Sequence, residues 1–400
     1  MTELRVIEAV EYVPLELARD ALTVEEGTAL WERYRDQLDI EFPTPLTGGR
    51  WRLTPRSWVG HMPVTPDLCV AVRPKVDVRS VFAMLEYAYD LRSFKLFDGV
   101  QAAGALDEVY ERIASIFAQR VRTRVRRGVH RAYQADQDRL PYLRGRLDTL
   151  RLAAAPWRVD LDCCFEEHTP DIEDNQLLLW ALHVCARSGI CRDLTARRVM
   201  DAHRALAGTV SLVEREAGDY RGRRYHRLNE DYEPLHALAR FLVDHSGPTH
   251  TRGAHAMVPF LVDMNRLFER FVAAWLESHL PHEWLLDRQG HLSFGTTDKV
   301  EFRADLVIRD RQTQRAIVVL DTKYKRDTTP SADDVAQVVA YATAWGTTDA
   351  VLVYPQASGA PWIATVGKVR VRALAFSLDG DLDAAGRRLL EALNGSSVEG

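Results

Sequence analysis

The spacing of apolar residues divides the chain into three parts. In the middle part, residues 77–250, apolar residues recur every three or four positions, which is typical of amphipathic helices. This spacing predicts helices over 78–91, 106–128, 172–189 and 233–246. The preceding residues, 1–76, contain short alternating stretches between turns. They indicate a β-rich region, with one helix over 24–38 and a strand over 69–76.

Helices and strands are mixed in the last part of the chain. A polar segment at 245–256 that contains Gly and Pro is the predicted linker, and an amphipathic helix is predicted over 257–280. Strands are predicted over 284–289, 299–310, 315–325, 349–355 and 362–376, and helices over 331–346 and 379–394. This order favours an α/β sandwich over 257–400. The predicted fold class is therefore mixed α/β (α+β), with a β-rich N-terminal domain over 1–76 and a mainly helical domain over 77–250.

Composition excludes several classes of protein. The 400 residues are 46% hydrophobic and 27% charged, with a formal net charge of −5, as in an ordinary globular protein. The sequence has no apolar run of the roughly 18 residues that a membrane span needs, and no signal-peptide core, so we expect a cytoplasmic protein. Its five cysteines form no CxxC pair, which argues against a cysteine zinc site. Without a GxxxxGK[ST] loop, the chain is expected to hydrolyse no nucleotide itself.

Lysine is rare in this sequence. Only six of the 52 basic residues are lysines, at positions 75, 95, 299, 323, 325 and 368. A GC-rich coding sequence is the simplest explanation. Where a lysine persists in such a chain, the question is whether arginine is able to do the same job, since the two side chains differ in shape and in their capacity to lose a proton.

Two acidic residues on neighbouring predicted strands form the most informative pattern. Asp305 lies within an apolar stretch, and Asp321 follows the apolar run AIVVL and opens the triplet Asp321-Thr322-Lys323. Two carboxylates from adjacent strands, with the main-chain carbonyl of Thr322, are oxygen ligands suited to one divalent cation. Strand alternation puts Lys323 on the side of Asp321, where its ammonium can lose a proton or orient a water. Because such a triplet alone is a weak signal, a capped strand end or a surface ion pair is the alternative.

Three further residues fit the same hypothesis. Gln337 and Tyr341 are four positions apart on the next predicted helix, so they share one face. Facing the strand ends, they would bind a phosphate or hold the lysine; otherwise they form a polar patch at a helix edge. Glu269, on the predicted helix over 257–280, either turns inward towards the metal or is a solvated acid of the helix.

These residues resemble a known family in their order. A helix with Glu269, a strand with Asp305, an Asp-x-Lys triplet and then Gln337-x-x-x-Tyr341 resemble the PD-(D/E)xK nucleases of the RecB-like group. The wider chain resembles the McrC family, the nuclease subunits of McrBC modification-dependent restriction systems. The matching segments are CVAVRPKVDVRSVFAMLEYAYDL (69–91), YLRGRLD (142–148), FEEHTPDIEDNQLLLWAL (165–182), PFLVDMNRLFERFV (259–272), RADLVI and VVLDTKYK. One departure is that no glycine comes shortly before the first aspartate.

The resemblance implies a fold, a reaction and a partner. It implies a PD-(D/E)xK restriction-endonuclease-like domain over 257–400 that cleaves DNA with Mg²⁺, for which Mn²⁺ would substitute. The metal would be held by Asp305, Asp321 and the Thr322 carbonyl, and Lys323 would assist the attack of water on a phosphodiester. The implied partner is a McrB-like hexameric AAA+ GTPase that recognises modified double-stranded DNA. The N-terminal part would insert into this ring and stimulate its GTP hydrolysis.

An arginine-rich segment lies in the helical part of the chain. The predicted DNA-binding residues are Arg120, Arg122, Arg124, Arg126, Arg127, Arg144 and Arg146. Cations along a strip would neutralise phosphates and make the affinity for DNA depend on salt. A solvated helix face, or arginines that face an acidic AAA+ surface, are the alternatives.

Two other functions compete with a partner-dependent endonuclease. The first is a catalytically inactive adaptor that only activates a partner NTPase, against which the intact Asp305, Asp321 and Lys323 argue. The second is a RecB-like exonuclease of another defence or repair complex. The segments between residues 69 and 250 that resemble McrC argue against the second.

Overall fold

The chain forms two compact units in a computed structural model. The described residues are 5–65, 67–89, 106–155, 157–220, 222–246, 260–294, 300–325, 329–356 and 362–394. The first unit joins Met1–Leu106 with Leu261–Gly400, and the second unit is Asp107–Phe260. This division differs from the three-part order predicted from the sequence, because the N-terminal and C-terminal parts belong to one unit. Most of the predicted linker at 245–256 lies outside the described residues.

The N-terminal part of the first unit is rich in strands. Its elements are β1 (Arg5–Val10), β2 (Leu15–Leu17), α1 (Val24–Tyr34), β3 (Leu38–Glu41), β4 (Trp51–Pro55), β5 (Trp58–Thr65), β6 (Leu68–Arg73) and α2 (Val78–Ala88). Helix α1 begins at a capping box between Thr23 and Glu26. Helix α1 ends at Tyr34, before the predicted end at residue 38, and Leu38 is the first residue of β3. Strands β2, β4 and β3 form a small sheet, and β1, β6 and β5 lie in another.

The second unit combines helices with a small antiparallel sheet. Its elements are α3 (Leu106–Arg127, which starts on the last residue of the first unit), β7 (Ala132–Leu140), β8 (Arg146–Leu147), α4 (Thr149–Ala154), β9 (Leu161–Thr169), α5 (Glu173–Arg187), α6 (Asp193–Ala207) and α7 (Tyr232–Asp244). The sheet order is β7–β9–β8. This sheet and α6 were not predicted from the sequence. Nearly all of β7 is exposed on both faces, so it carries no apolar alternation that would reveal a strand.

The C-terminal part of the first unit carries the large sheet. Its elements are β10 (Phe260–Asp263), α8 (Met264–His279), β11 (Trp284–Phe294), β12 (Val300–Asp310), β13 (Ala316–Thr322), α9 (Ala332–Trp345), β14 (Asp349–Tyr354), β15 (Trp362–Val366), β16 (Val369–Ala375) and α10 (Leu382–Asn394). The sheet order is β11–β12–β13–β14–β16–β15, with β13, β14 and β16 parallel. The mixed α/β fold class is confirmed.

The predicted helix over 257–280 is a strand followed by a helix. Helix α8 starts at Met264 because the Asp263 carboxylate accepts hydrogen bonds from the amides of Asn265 and Arg266. The residues before it form β10, which lies beside β5 in the N-terminal sheet. The N-terminal sheet therefore contains a strand from the far end of the chain.

Helices pack on both faces of the large sheet. Val319 and Leu352 belong to a buried cluster with Val338 of α9. Side chains alternate along a strand, so the buried Val318 and Leu320 face the other side of the sheet, and α8 contacts β13 as well. Asp321 is in phase with Val319, which puts its side chain on the face of α9. Within the described residues, no helix is long and apolar enough to cross a membrane.

A buried polar network lies at the start of α5 in the second unit. The Asp174 carboxylate accepts hydrogen bonds from Arg223 and Asn229, and its main-chain carbonyl lies 2.9 Å from Nε2 of His236. The Asn175 amide donates to two main-chain carbonyls. Because these side chains bond to one another and to the neighbouring main chain, the network is a structural element of this unit.

We expect His236 to make stability depend on pH. Burial lowers the pKa of His236 to about 4, whereas the pKa of a histidine in the unfolded chain is about 6.5. The unfolded chain then binds the proton more readily, so this residue reduces the free energy of unfolding by about 2 kcal/mol between pH 7 and pH 5. Urea unfolding of the wild type and of His236→Gln at both pH values measures this difference. An identical pH dependence in the two proteins would contradict the prediction.

Candidate active site

The two predicted metal-binding carboxylates are neighbours in the structure. Strands β12 and β13 are antiparallel, and Leu306 pairs with Leu320. The residues beside this pair, Asp305 and Asp321, therefore lie next to each other on adjacent strands. Asp321 is buried, with 3% of its surface exposed, and Asp305 is half-buried.

Thr322 contacts Asp305 through two donors. Its main-chain amide and its hydroxyl each donate to Oδ2 of Asp305, at 2.8 Å. These bonds orient the Asp305 carboxylate from the neighbouring strand. The role of the Thr322 carbonyl as a metal ligand stays a prediction.

Burial and like charge raise the pKa of Asp321. Its removal from water is the largest cause, the negative charge of Asp305 adds to it, and the attraction of Lys323 opposes both, which leaves the pKa at about 7. Oδ2 of Asp321 lies 2.7 Å from Nζ of Lys323 but has no aligned hydrogen-bond partner among the described residues. Two adjacent carboxylates of this kind favour a bound cation, which relieves their repulsion.

Lys323 is held by groups on two elements. Besides Asp321, its ammonium donates to Oε1 of Gln337 at 2.9 Å, and it lies 3.6 Å from Oδ1 of Asp334. Burial acts to lower the pKa of Lys323, but the negative charges of Asp321 and Asp334 raise it above its ordinary value. The lysine is therefore a charged ammonium near neutral pH, which favours the orienting role over that of a base.

The pair on α9 holds the lysine. Nε2 of Gln337 donates to the hydroxyl of Tyr341 at 2.9 Å, while its oxygen accepts from Lys323. The donor and acceptor ends of one amide are thus both used. Of the alternatives left by the sequence, the structure favours the one in which these residues orient Lys323.

Asp334 is a residue of this site that the sequence analysis missed. It is 5% exposed, and both of its oxygens accept from Nζ of Lys325 at 2.8 Å. It also forms a capping box with Ser331 at the start of α9. The S-x-x-D pattern at 331–334 is typical of such a cap. Asp334 also precedes Gln337 by one turn of α9, so the sequence places both on one face of the helix.

Glu269 lies near Asp305 on the half-buried side of α8. Its Oε1 accepts from Nε2 of Gln289 at 3.3 Å. Burial raises the pKa of Glu269, and the negative charge of Asp305 raises it further. Glu269 is therefore within electrostatic reach of the site, and it is not a fully solvated acid.

The donor set suits a hard divalent cation. Within the described residues, no group of three or more His, Cys, Asp or Glu side chains has the arrangement of a metal site. The predicted set is smaller, with two carboxylates and one carbonyl. Mg²⁺ is commonly held by one or two carboxylates and keeps several waters, so Asp305 and Asp321 fit this ion. The buried Oδ2 atom of Asp321 has no hydrogen-bond partner among the described residues, which suits it to a cation.

The predicted DNA-binding arginines belong to the second unit and do not all face solvent. Arg124 pairs with Asp231 at 2.9 Å, and Arg144 lies 3.9 Å above the ring of Phe165. Helix α3 also carries Arg120, Arg122, Arg126 and Arg127, and β8 begins with Arg146.

Three arginine side chains line a groove between α3 and α6. Arg122 and Arg126 line a cavity of about 430 Å³ together with Arg204 of α6. Asp201 of α6 also lines it and lies 3.4 Å from Arg122. Arg204 was absent from the predicted set, because its sequence position lies far from the arginine-rich segment.

Comparisons with known proteins agree with this architecture. A refined half-complex from the tetradecameric assembly of Thermococcus gammatolerans McrB AAA+ hexamers with bound McrC is similar over 97% of this chain and 100% of the matched chain, with 20% identity and a TM-score of 0.58. The cryo-EM structure of the Thermococcus gammatolerans McrBC complex is similar over 68% and 87% of the two chains, with 21% identity and a TM-score of 0.43. At 20% identity, the similarity to the first of these structures shows a shared fold only.

The sequence comparisons point the same way. No curated protein sequence shows a significant match to the chain. The family model described as McrBC 5-methylcytosine restriction system component matches residues 53–355, which is most of the chain. The chain therefore belongs to the McrBC 5-methylcytosine restriction system component family.

Proposed function

We propose that the chain is the Mg²⁺-dependent DNA endonuclease subunit of a McrBC-type modification-dependent restriction system. The observation that carries the proposal is the juxtaposition of Asp305, Asp321 and Lys323 on adjacent strands, with Gln337 holding the lysine. This donor set belongs to a chain of a restriction-system family. An inactive adaptor would have no need for two adjacent carboxylates, one of which is buried.

The residues of the site divide the chemical work. When bound, Mg²⁺ supplies Lewis-acid charge that lowers the pKa of water and stabilises a phosphorane-like transition state, and Mn²⁺ is expected to replace it. Asp305, Asp321 and the Thr322 carbonyl hold the ion. Lys323 donates to the attacking water or to the phosphate, and it is kept in place by Gln337.

The proposed partner is a McrB-like AAA+ GTPase hexamer. The solved structure whose fold this chain shares is described as McrB AAA+ hexamers with bound McrC. The sequence has no GxxxxGK[ST] loop of its own, so nucleotide-driven steps would be carried by the partner. We propose modified double-stranded DNA as the substrate.

The N-terminal part offers a contact for this partner. Leu46, in the turn between β3 and β4, is 97% exposed, and Trp31 of α1 is 47% exposed. Exposed large apolar side chains are candidate anchors for a protein partner. We place the partner contact at Leu46 and the surrounding loop at 43–49.

Substitutions in the site should stop cleavage without preventing assembly. Asp321→Ala removes a carboxylate of the metal site, and Lys323→Arg puts a larger planar group where a compact ammonium fits. We expect each to lower the rate of DNA cleavage by about 100-fold or more at saturating Mg²⁺, as for misplaced catalytic groups. Gel-based cleavage assays with the partner measure this. Undiminished cleavage by either variant, at normal binding to the partner, would overturn the site assignment.

The arginine groove should contribute to DNA binding. The double substitution Arg126→Ala and Arg204→Ala removes two exposed cations, so the slope of log affinity against log salt should fall by about 0.9 for each phosphate that the variant no longer neutralises. Arg158→Ala, an exposed arginine of the same unit, is the control. Unchanged DNA affinity, with weaker binding to the GTPase, would favour the acidic AAA+ surface instead.

Leu46 should contribute to partner stimulation. Leu46→Asp places a charge on the proposed anchor, so the concentration needed for half-maximal GTPase stimulation should rise by about tenfold. The matched control is Leu228→Asp, since Leu228 of the second unit is 66% exposed. Equal effects of the two substitutions would argue against a specific contact at Leu46.

A further inference from the structure

Lys75 contacts the segment that carries the proposed catalytic lysine. It follows β6 in the sequence Arg73-Pro74-Lys75, and its ammonium lies 4.0 Å from the ring centroid of Tyr324 and 4.8 Å from that of Tyr12. Its Nζ also lies 3.4 Å from the main-chain carbonyl oxygen of Tyr324. A cation between two aromatic rings is held by their negative faces, which makes this a specific contact across 249 residues of sequence.

A buried carboxylate completes the cluster. Glu11 is fully buried, and its Oε2 accepts from the Tyr324 hydroxyl and from the Lys75 amide, each at 3.3 Å. Its other oxygen has no hydrogen-bond partner among the described residues. Burial raises the pKa of Glu11 to about 7 against the attraction of Lys75. A buried charge pair of this kind adds little net stability. We therefore expect Glu11 and Lys75 to affect the position of Tyr324 more than the stability of the fold.

Tyr324 is the anchor of the chain after β13. Its side chain is 2% exposed and points towards Glu11 and Lys75. The residues on either side, Lys323 and Lys325, point the other way, to Asp321 and Asp334. Tyr324 and Lys323 therefore point to opposite sides of this segment.

The main chain beside Tyr324 is bonded to β14, and the side chains of Lys323 and Lys325 are bonded to α9. The Lys323 amide donates to the carbonyl of Val353 at 2.8 Å, and the Lys325 amide donates to the Lys323 carbonyl at 2.9 Å. The second bond is local, so it does not fix the segment to the rest of the unit. The side chain of Tyr324, held by Lys75 and Glu11, adds a connection to the residues that follow β1 and β6.

We propose that Lys75 and Glu11 are positioning residues of the nuclease centre, which hold Tyr324 and thereby place the Lys323 ammonium against Asp321. This inference rests on the proposed nuclease function. The residues that follow β1 and β6 would then affect cleavage without contacting the substrate. The charge of Lys75 is the property that matters, since it acts on ring faces and on a carbonyl. Arginine keeps that charge and also stacks on aromatic faces.

The test compares three substitutions in the full chain with its GTPase partner, Mg²⁺ and methylated DNA. Lys75→Met keeps the length of the side chain without its charge, and Lys75→Arg keeps the charge. Lys368→Met, at an exposed lysine in the turn between β15 and β16, is the matched control. We expect Lys75→Met to lower kcat for cleavage by about tenfold at unchanged KM, while Lys75→Arg stays within about threefold of the wild type, because only misplacement of the reacting groups is involved. The control should equal the wild type.

The outcomes separate this proposal from the proposed function. Wild-type cleavage by Lys75→Met, or equal losses in the methionine and arginine variants, would overturn the positioning role. Should Lys75→Met unfold, the double variant Lys75→Met and Glu11→Gln leaves no unpaired buried charge, and it must then show the same loss of kcat. Asp321→Ala serves as the reference. If it cleaves like the wild type, the nuclease function itself fails; if it is inactive while Lys75→Met is normal, only the positioning role fails.

Discussion

Two negatively charged carboxylates lie side by side on neighbouring strands, and their repulsion sets the character of the site around them. Asp321 is buried beside the half-buried Asp305, so a negative charge on Asp321 is costly unless a cation lies close. The Lys323 ammonium meets part of this requirement at 2.7 Å from Asp321. A divalent cation would meet the rest. The same repulsion extends to Glu269, whose pKa is raised first by burial and then by the charge of Asp305.

The ammonium of Lys323 is fixed by partners on β13 and on the helix that follows it, α9. Asp321 precedes it on the same strand, and Gln337 and Asp334 approach from α9. Since three acceptors surround one compact ammonium, its position is determined more closely than that of a surface lysine. Its raised pKa follows from the same surroundings, so position and charge state have one cause.

The N-terminal strands are part of the unit that contains this site. Strand β10 lies beside β5 in the N-terminal sheet, and the hydroxyl of Ser80 donates to the carbonyl of Leu378 at 2.6 Å. Lys75 contacts Tyr324 directly. These connections explain why residues 1–106 and 261–400 form one compact unit.

Local patterns in the sequence determined the elements and the core of the site. The apolar period marked α2, α3, α5 and α7, and the alternation around Asp321 put it on the side of Lys323. The four-residue spacing of Gln337 and Tyr341 put both on one helix face. Only the tertiary structure decided the placement of β10 beside β5, of Asp334 beside Lys323 and of Lys75 against Tyr324. Periodicity reports what a residue's near neighbours do, whereas these contacts join residues far apart in the chain, and their pairing depends on how the sheets and helices are packed.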